Sequence, residues 1–131
     1  MAGSSGTPLA TKLGVRPGDT LALLRAPDGL TIDLPDGVSV KHRVGGRADV
    51  VVEFATRRRD VEPRLDRLAA MVHPAGGLWI AWPKRSSGVA TDLSDHTVRD
   101  LALDRGLVDN KVCAIDEVWT GLRLVWRLDR R

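Results

Sequence analysis

Residues 82–92, WPKRSSGVATD, gather several kinds of chemistry into one short stretch. Lys84 and Arg85 supply cations, Ser86 and Ser87 supply hydroxyls, and Gly88 permits a left-handed backbone. A helix start follows, whose positive end adds to the pull on an anion. Phosphate or carboxylate is the group such parts suit. The same residues also make an ordinary strand-to-helix connector, in which the hydroxyls answer nearby backbone donors. Trp82, just ahead of the loop, is expected in the core, with flooring a cleft and stacking on a planar ligand as its alternative.

Other chemistry has less to work with. Ser86 and Ser87 lack the G-x-S-x-G setting of a nucleophile elbow. No G-x-G-x-x-G and no G-x-x-x-x-G-K-[ST] follows any strand run. His42, His73 and His96 have no metal-ligand spacing, and His96, beside Asp92 and Asp95, is the histidine expected near the cleft. Asp116 and Glu117 read as neighbours on a strand, so they face opposite ways and pair across it with Arg123 or Arg127. Arg57, Arg58 and Arg59 read as a solvated helix start, although their charges oppose the helix dipole. Cys113, alone in the apolar run KVCAI, can form no internal disulfide and reads as a buried thiol.

The elements that must position these residues follow from the hydrophobic pattern. PLATKLGV suggests a short helix stopped by Gly14. Residues 20–27, TLALLRAP, and 48–55, ADVVVEFA, are apolar runs suited to strands buried on both faces. The turn units around Pro27 and Pro35 leave room for only a stunted helix or loop before the short strand in VSVKHRV. Val61, Leu65, Leu68, Ala69 and Val72 share one helical face, with Pro63 tolerated in the first turn. LWIAWP is the next strand, and its Trp79 and Trp82 face opposite sides. Ser94 caps the helix DHTVRDLALDR, which Gly106 closes. The end of the chain reads as an antiparallel hairpin turning at Thr120-Gly121. Core or helix-covering packing is expected of all four tryptophans, and the alternative for Trp126 is a face open to a second copy.

This order predicts one α/β domain over residues 1–131, with residues 1–7 frayed. It is a compact three-layer Rossmann-like domain, with a mostly parallel sheet and a C-terminal antiparallel hairpin. In such sheets ligands sit at the carboxyl ends of the strands, near the point where strand order reverses. Three loops are expected there, carrying Arg25 and Asp28, then Thr56, then Lys84 to Asp92.

VRPGDTLALL, HPAGGLWIAWPK and the final hairpin resemble a shortened S-adenosylmethionine-dependent methyltransferase fold. GTPLATKLGVRPGD, LWIAWPKRSSGVATDLS and VDNKVCAIDEVWTGLRLV resemble a bacterial family catalogued as domain of unknown function 3052. That resemblance implies a Rossmann-like fold and no particular activity. The methyltransferase resemblance implies an acidic residue and spaced glycines after the first strand. Here Leu23 fills the acid position, Arg25 and Pro27 fill the first two glycine positions, and Gly29 remains. Where the resemblance implies a ribose-holding carboxylate, the second strand ends in Lys41, His42 and Arg43.

The chain of 131 residues is 43% hydrophobic, enough for a core, and its 20 basic and 17 acidic residues leave a net charge of +3. Those charges are scattered, so nucleic acid is not an expected partner. MAGSSGTPLA lacks the pattern of a signal peptide, and no run suits a membrane span, so a cytoplasmic protein is expected. The expectation is a non-catalytic binding or regulatory protein without a cofactor. It would hold a small anionic ligand or a protein partner through Arg25, Asp28, Thr56, Trp82, Lys84, Arg85, Ser86, Ser87, Gly88 and Asp92. The alternatives are a divergent methyltransferase using S-adenosylmethionine, and a structural homodimer joined through the hairpin.

Overall fold

The computed structural model describes residues 7–131, so the fraying expected at the N-terminus lies outside the described residues except at Thr7. Six strands form one sheet: β1 (Thr20–Leu24), β2 (Ser39–Lys41), β3 (Val50–Phe54), β4 (Gly77–Pro83), β5 (Leu107–Ala114) and β6 (Trp119–Trp126). Their spatial order is β2-β1-β3-β4-β6-β5. The first four are mutually parallel, and β6 runs antiparallel to both β4 and β5. Every residue of β3 and β4 is buried, as strands covered on both faces require. The chain leaves β1 for β2 on one side and returns to β3 on the other. The reversal of order therefore lies between β1 and β3.

Four α-helices accompany the sheet: α1 (Leu9–Leu13), α2 (Arg58–Val61), α3 (Leu65–Met71) and α4 (Asp95–Leu103). Gly14 ends α1 at φ 86°, a left-handed stop that needs no Cβ. Ser94 Oγ accepts the Thr97 amide at 3.2 Å and caps α4 as its sequence position suggests. The single helix expected over Val61–Val72 is divided. Pro63 sits in a tight 3-10 turn, Glu62–Arg64, that joins α2 to α3, because proline has no N–H to continue the α-helical ladder.

The helices α3 and α4 cover one face through Leu65, Leu68, Met71, Val98 and Leu101. The opposite layer is thinner. There Leu13 and Val15 pack on Leu21, Val50 and Trp79, and the extended run from Leu30 to Val38 lays Leu30, Ile32 and Leu34 over the rest. No α-helix connects β1 to β2. A turn closed by the Leu30 amide on the Pro27 carbonyl, 3.3 Å, leads straight into that extended run. Trp79 and Trp82 fall in opposite cores, and Trp79 Nε1 donates to the Leu13 carbonyl at 2.9 Å.

The hairpin differs from the sequence expectation. Its turn is residues 115–118, where Asp116 Oδ1 accepts the amides of Val118 and Trp119, each at 2.8 Å. Thr120 and Gly121 lie inside β6 instead. Gly121 serves packing there, since a Cβ would stand 3.1 Å from the Trp79 ring. Asp116 is thus a turn residue and takes no part in cross-strand pairing, while Arg127 pairs with Asp129 at 3.2 Å. Trp126 takes the helix-covering place expected of the tryptophans, not the alternative open face. It donates to the Ala69 carbonyl at 2.9 Å and stands edge-on to His73, so it belongs to the α3 side of the core. The edge strand is β5, where Val112 is exposed. No helix among the described residues is long and apolar enough to cross a membrane.

Candidate functional site

The carboxyl ends of β1, β3 and β4 lie along one edge of the sheet, where open α/β sheets form their ligand crevice, and hydrogen bonds tie their loops together. Thr91 Oγ1 donates to the Thr56 carbonyl at 2.7 Å, and the Asp92 amide reaches the same oxygen at 3.3 Å. Asp92 Oδ1 accepts the Arg58 amide at 2.7 Å. A carboxylate thus stands at the start of α2 and offsets the charge of the Arg57–Arg59 run there. Arg25 Nη1 donates to the Asp60 carbonyl at 3.2 Å, joining the β1 loop to α2. The three loops read from the sequence do converge.

Under this crevice lies Glu53, the one charged residue buried outright among those described, at 0% exposure. Arg64 Nη2 donates to Oε1 at 2.8 Å, and Arg64 Nε lies 2.8 Å from Oε2 in ion-pair contact without hydrogen-bond alignment. Burial raises the Glu53 carboxyl above its ordinary value of 4.5, Arg64 and then Arg25 pull it back, and burial prevails. Sequence reading missed this pair. Glu53 is a lone acid in an otherwise apolar strand, and that mismatch was the available signal.

The backbone at Arg25 is the other outlier. Its φ is +58°, the single positive value at a non-glycine residue among those described. Left-handed backbone costs a side-chain-bearing residue about 1–3 kcal/mol. Arg25 fills a position where the methyltransferase resemblance implies glycine, and the glycine-like conformation is kept. Asp28 stands exposed in the turn that follows, and Gly29 takes φ 82°.

Around the third loop, Trp82, Arg85 and Gly88 line a cavity of about 460 Å³ with Thr91, Leu93 and Asp95. Trp82 is 6% exposed, so only its rim reaches the cavity. Ser87 Oγ donates to the Lys84 carbonyl at 2.7 Å and accepts the Val89 amide at 3.1 Å. That hydroxyl is spent on its own turn, while Ser86 lies exposed. Gly88 follows at φ 76° and ends the turn. Lys84 holds the loop to the hairpin through its amide, 2.7 Å from the Val118 carbonyl.

The histidine at the crevice is His42. Its Nδ1 lies 3.1 Å from the Leu23 carbonyl, so Nδ1 carries the proton and Nε2 of the neutral ring is an acceptor. His96 stays on the exposed side of α4, 3.4 Å from Asp100. Cys113 is buried, and burial pushes its thiol up against the opposing pull of Lys12 and Lys111.

No protein-family model and no curated protein matches this chain in sequence, so the resemblance to the bacterial family gains no support from that side. Solved structures do match. Magnesium protoporphyrin IX methyltransferase from Synechocystis PCC 6803 with bound S-adenosylmethionine aligns at a TM-score of 0.54 and 12% identity, over 85% of this chain and 71% of that one. The same enzyme with bound S-adenosylhomocysteine aligns at 0.53 and 11%, over 69% of this chain and 51% of that one. A LepI variant in complex with S-adenosylhomocysteine and a substrate analogue aligns at 0.51 and 15%, over 91% of this chain and 39% of that one.

The fold is Rossmann-like, of the methyltransferase kind. This chain spans about half of the enzyme chain solved with S-adenosylhomocysteine. The expectation of a protein without a cofactor is corrected by these matches, because the neighbours on this fold were solved with S-adenosylmethionine or its demethylated product.

Proposed function

We propose that this chain is a divergent methyltransferase that binds an S-adenosylmethionine-type ligand across the ends of β1, β2 and β3. The observation that carries this reading is the left-handed backbone at Arg25, kept beside the reversal of strand order. Strain at a ligand-facing loop is retained where it has a use. The residues present fit the ligand's chemistry with an altered donor set. Arg25 and Lys84 are cations for its carboxylate, and His42 Nε2 is an acceptor for a ribose hydroxyl in place of the absent acid. Trp82 and Thr91 line the adjoining cavity, which suits the methyl acceptor. When bound, the ligand supplies an electrophilic methyl group on a sulfonium centre. The chain's part is to hold an acceptor in line with it, the kind of positioning that can lower a barrier by several kcal/mol.

A non-catalytic binding role is the second reading. Favouring it, Ser87 and Asp92 are both consumed in loop hydrogen bonds, leaving neither free as a base. Thermal unfolding with S-adenosylmethionine and S-adenosylhomocysteine tests the shared premise. A ligand at 100 times its Kd stabilises the fold by about 2.7 kcal/mol, a clear rise in Tm. No rise with either compound overturns both uses of the crevice. A rise without conversion of S-adenosylmethionine, on incubation with a mixture of small-molecule acceptors, favours the second reading.

A further inference from the structure

The opposite end of the sheet holds a cavity that the proposed methyltransferase site does not use. It lies at the amino ends of β1, β3 and β4, has a volume of about 250 Å³, and is lined by Arg16, Arg47, Arg123 and the Gly76 turn. These arginines come from three distant parts of the sequence. None of them forms an ion pair among the described residues, although six other basic residues do.

The carboxylates in the lining are occupied elsewhere. Asp19 Oδ2 accepts the Arg16 amide at 2.9 Å, and Asp49 Oδ2 accepts the Thr20 amide at 2.8 Å. Both acids thereby fix the loop ends that frame the cavity, and neither lies in ion-pair contact with a guanidinium among the described residues. Three arginines against two carboxylates leave the lining one positive charge in excess. His73, also in the lining, is turned to the Arg130 carbonyl at 3.0 Å.

Arg123 is the built part of this site. It lies half-buried on β6, and its guanidinium rests over Gly77, where a Cβ would come within 2.5 Å of Nε and 2.7 Å of Nη2. The glycine leaves the slot that the arginine fills. The side chain's hydrogen bond is a long one, from Nη1 to Asn110 Oδ1 at 3.5 Å, near the limit of such contacts. Burial lowers the Arg123 pKa, and the neighbouring charges of Arg131 and Arg16 lower it further. An anion delivered to the cavity would relieve both.

We propose that this cavity is a phosphate site, in which Arg16, Arg47 and Arg123 hold a phosphate dianion or the phosphate of a small monoester. Guanidinium forks match phosphate oxygens in pairs, and several cations suit a doubly charged group better than a single carboxylate. Size sets the class. Pockets for drug-sized ligands run to roughly 300–1,000 Å³, so this smaller space takes a phosphate and a few attached atoms but no nucleotide.

The test is calorimetric titration of the full chain, at constant ionic strength, with inorganic phosphate and separately with glycerol phosphate. Arg123→Gln and the exposed Arg47→Gln are each expected to weaken binding at least tenfold, while Arg99→Gln, on α4 and paired with Asp109, leaves it unchanged. Tighter binding of the ester than of free phosphate identifies a monoester site, and the reverse identifies a free-phosphate site. The proposal is overturned if neither compound binds at millimolar concentration. It is equally overturned if Arg47→Gln and Arg123→Gln, both folded by circular dichroism, bind like the parent. The outcome is independent of any response to adenosyl compounds, which concern the other end of the sheet.

Discussion

The two ends of the sheet handle charge in opposite ways. At the carboxyl end, Glu53 is answered by Arg64, Arg58 by Glu62, and the start of α2 by Asp92. At the amino end, Arg16, Arg47 and Arg123 surround a cavity with no ion-pair partner among the described residues. At one end ion pairs and capping bonds fix the loops and leave Arg25 and Lys84 for a ligand's carboxylate, and at the other the three arginines line a cavity with no acid in ion-pair reach. Residue types alone suggest the reverse. The loop PKRSSG has the composition of an anion cradle, yet its Ser87 hydroxyl closes its own turn. The three arginines that meet at the amino end share no motif.

The largest break in this contrast should come from Arg64→Ala. It leaves the fully buried Glu53 without its partner, and removing one member of a buried ion pair costs about 3–5 kcal/mol. The loss depends on pH. Glu53 already binds its proton more tightly folded than unfolded, and without Arg64 that rise grows. A raised carboxyl contributes stability below its unfolded value of 4.5 and loses it as pH climbs through the folded value. Urea midpoints should therefore fall more at pH 7 than at pH 4, and an equal fall at both would break the assignment.

Gly76→Ala comes next. Its Cβ would meet the Asp49 carbonyl at 2.7 Å and Val72 at 3.1 Å, contacts with backbone that cannot swing away. Overpacking of this kind costs about 1–3 kcal/mol. Gly77→Ala sharpens the comparison. The obstacle there is the end of the Arg123 side chain, which can move, so phosphate binding should suffer more than the melting temperature. A Gly77→Ala variant that melts early but binds phosphate normally would contradict the role given to Arg123.

The smallest effect has the opposite sign. Arg25→Gly relieves a left-handed backbone and should stabilise the chain by about 1 kcal/mol, while weakening any adenosyl ligand. A destabilised variant would mean that the Arg25 bond to Asp60 outweighs the strain.

Much of the scaffold was legible in the sequence because local signals and tertiary packing agree there. The apolar runs of β1, β3 and β4, the Gly14 stop and the Ser94 cap all act over a few residues. The errors arose where a distant partner decides. Thr120-Gly121 has the composition of a turn, but Gly121 is required by the Trp79 ring packed against it. Trp126 packs against α3 as the tryptophans were expected to, but the partner of its indole, the Ala69 carbonyl, is not visible in the local sequence. His42 reached the crevice through a bond to β1 that its own surroundings in the chain do not announce. The amino-end cavity was illegible for the same reason, since positions 16, 47 and 123 meet only through the sheet. Of the crevice itself, the loops were readable and the strain at Arg25 was not, because a backbone angle leaves no mark on composition.

The central claim is that the crevice between β1 and β3 takes an adenosyl ligand, and calorimetric titration with S-adenosylhomocysteine tests it most directly. Saturable binding is expected, weakened by about 1 kcal/mol in His42→Ala through loss of one hydrogen bond. No heat of binding, in a chain that is folded by circular dichroism, would contradict the claim.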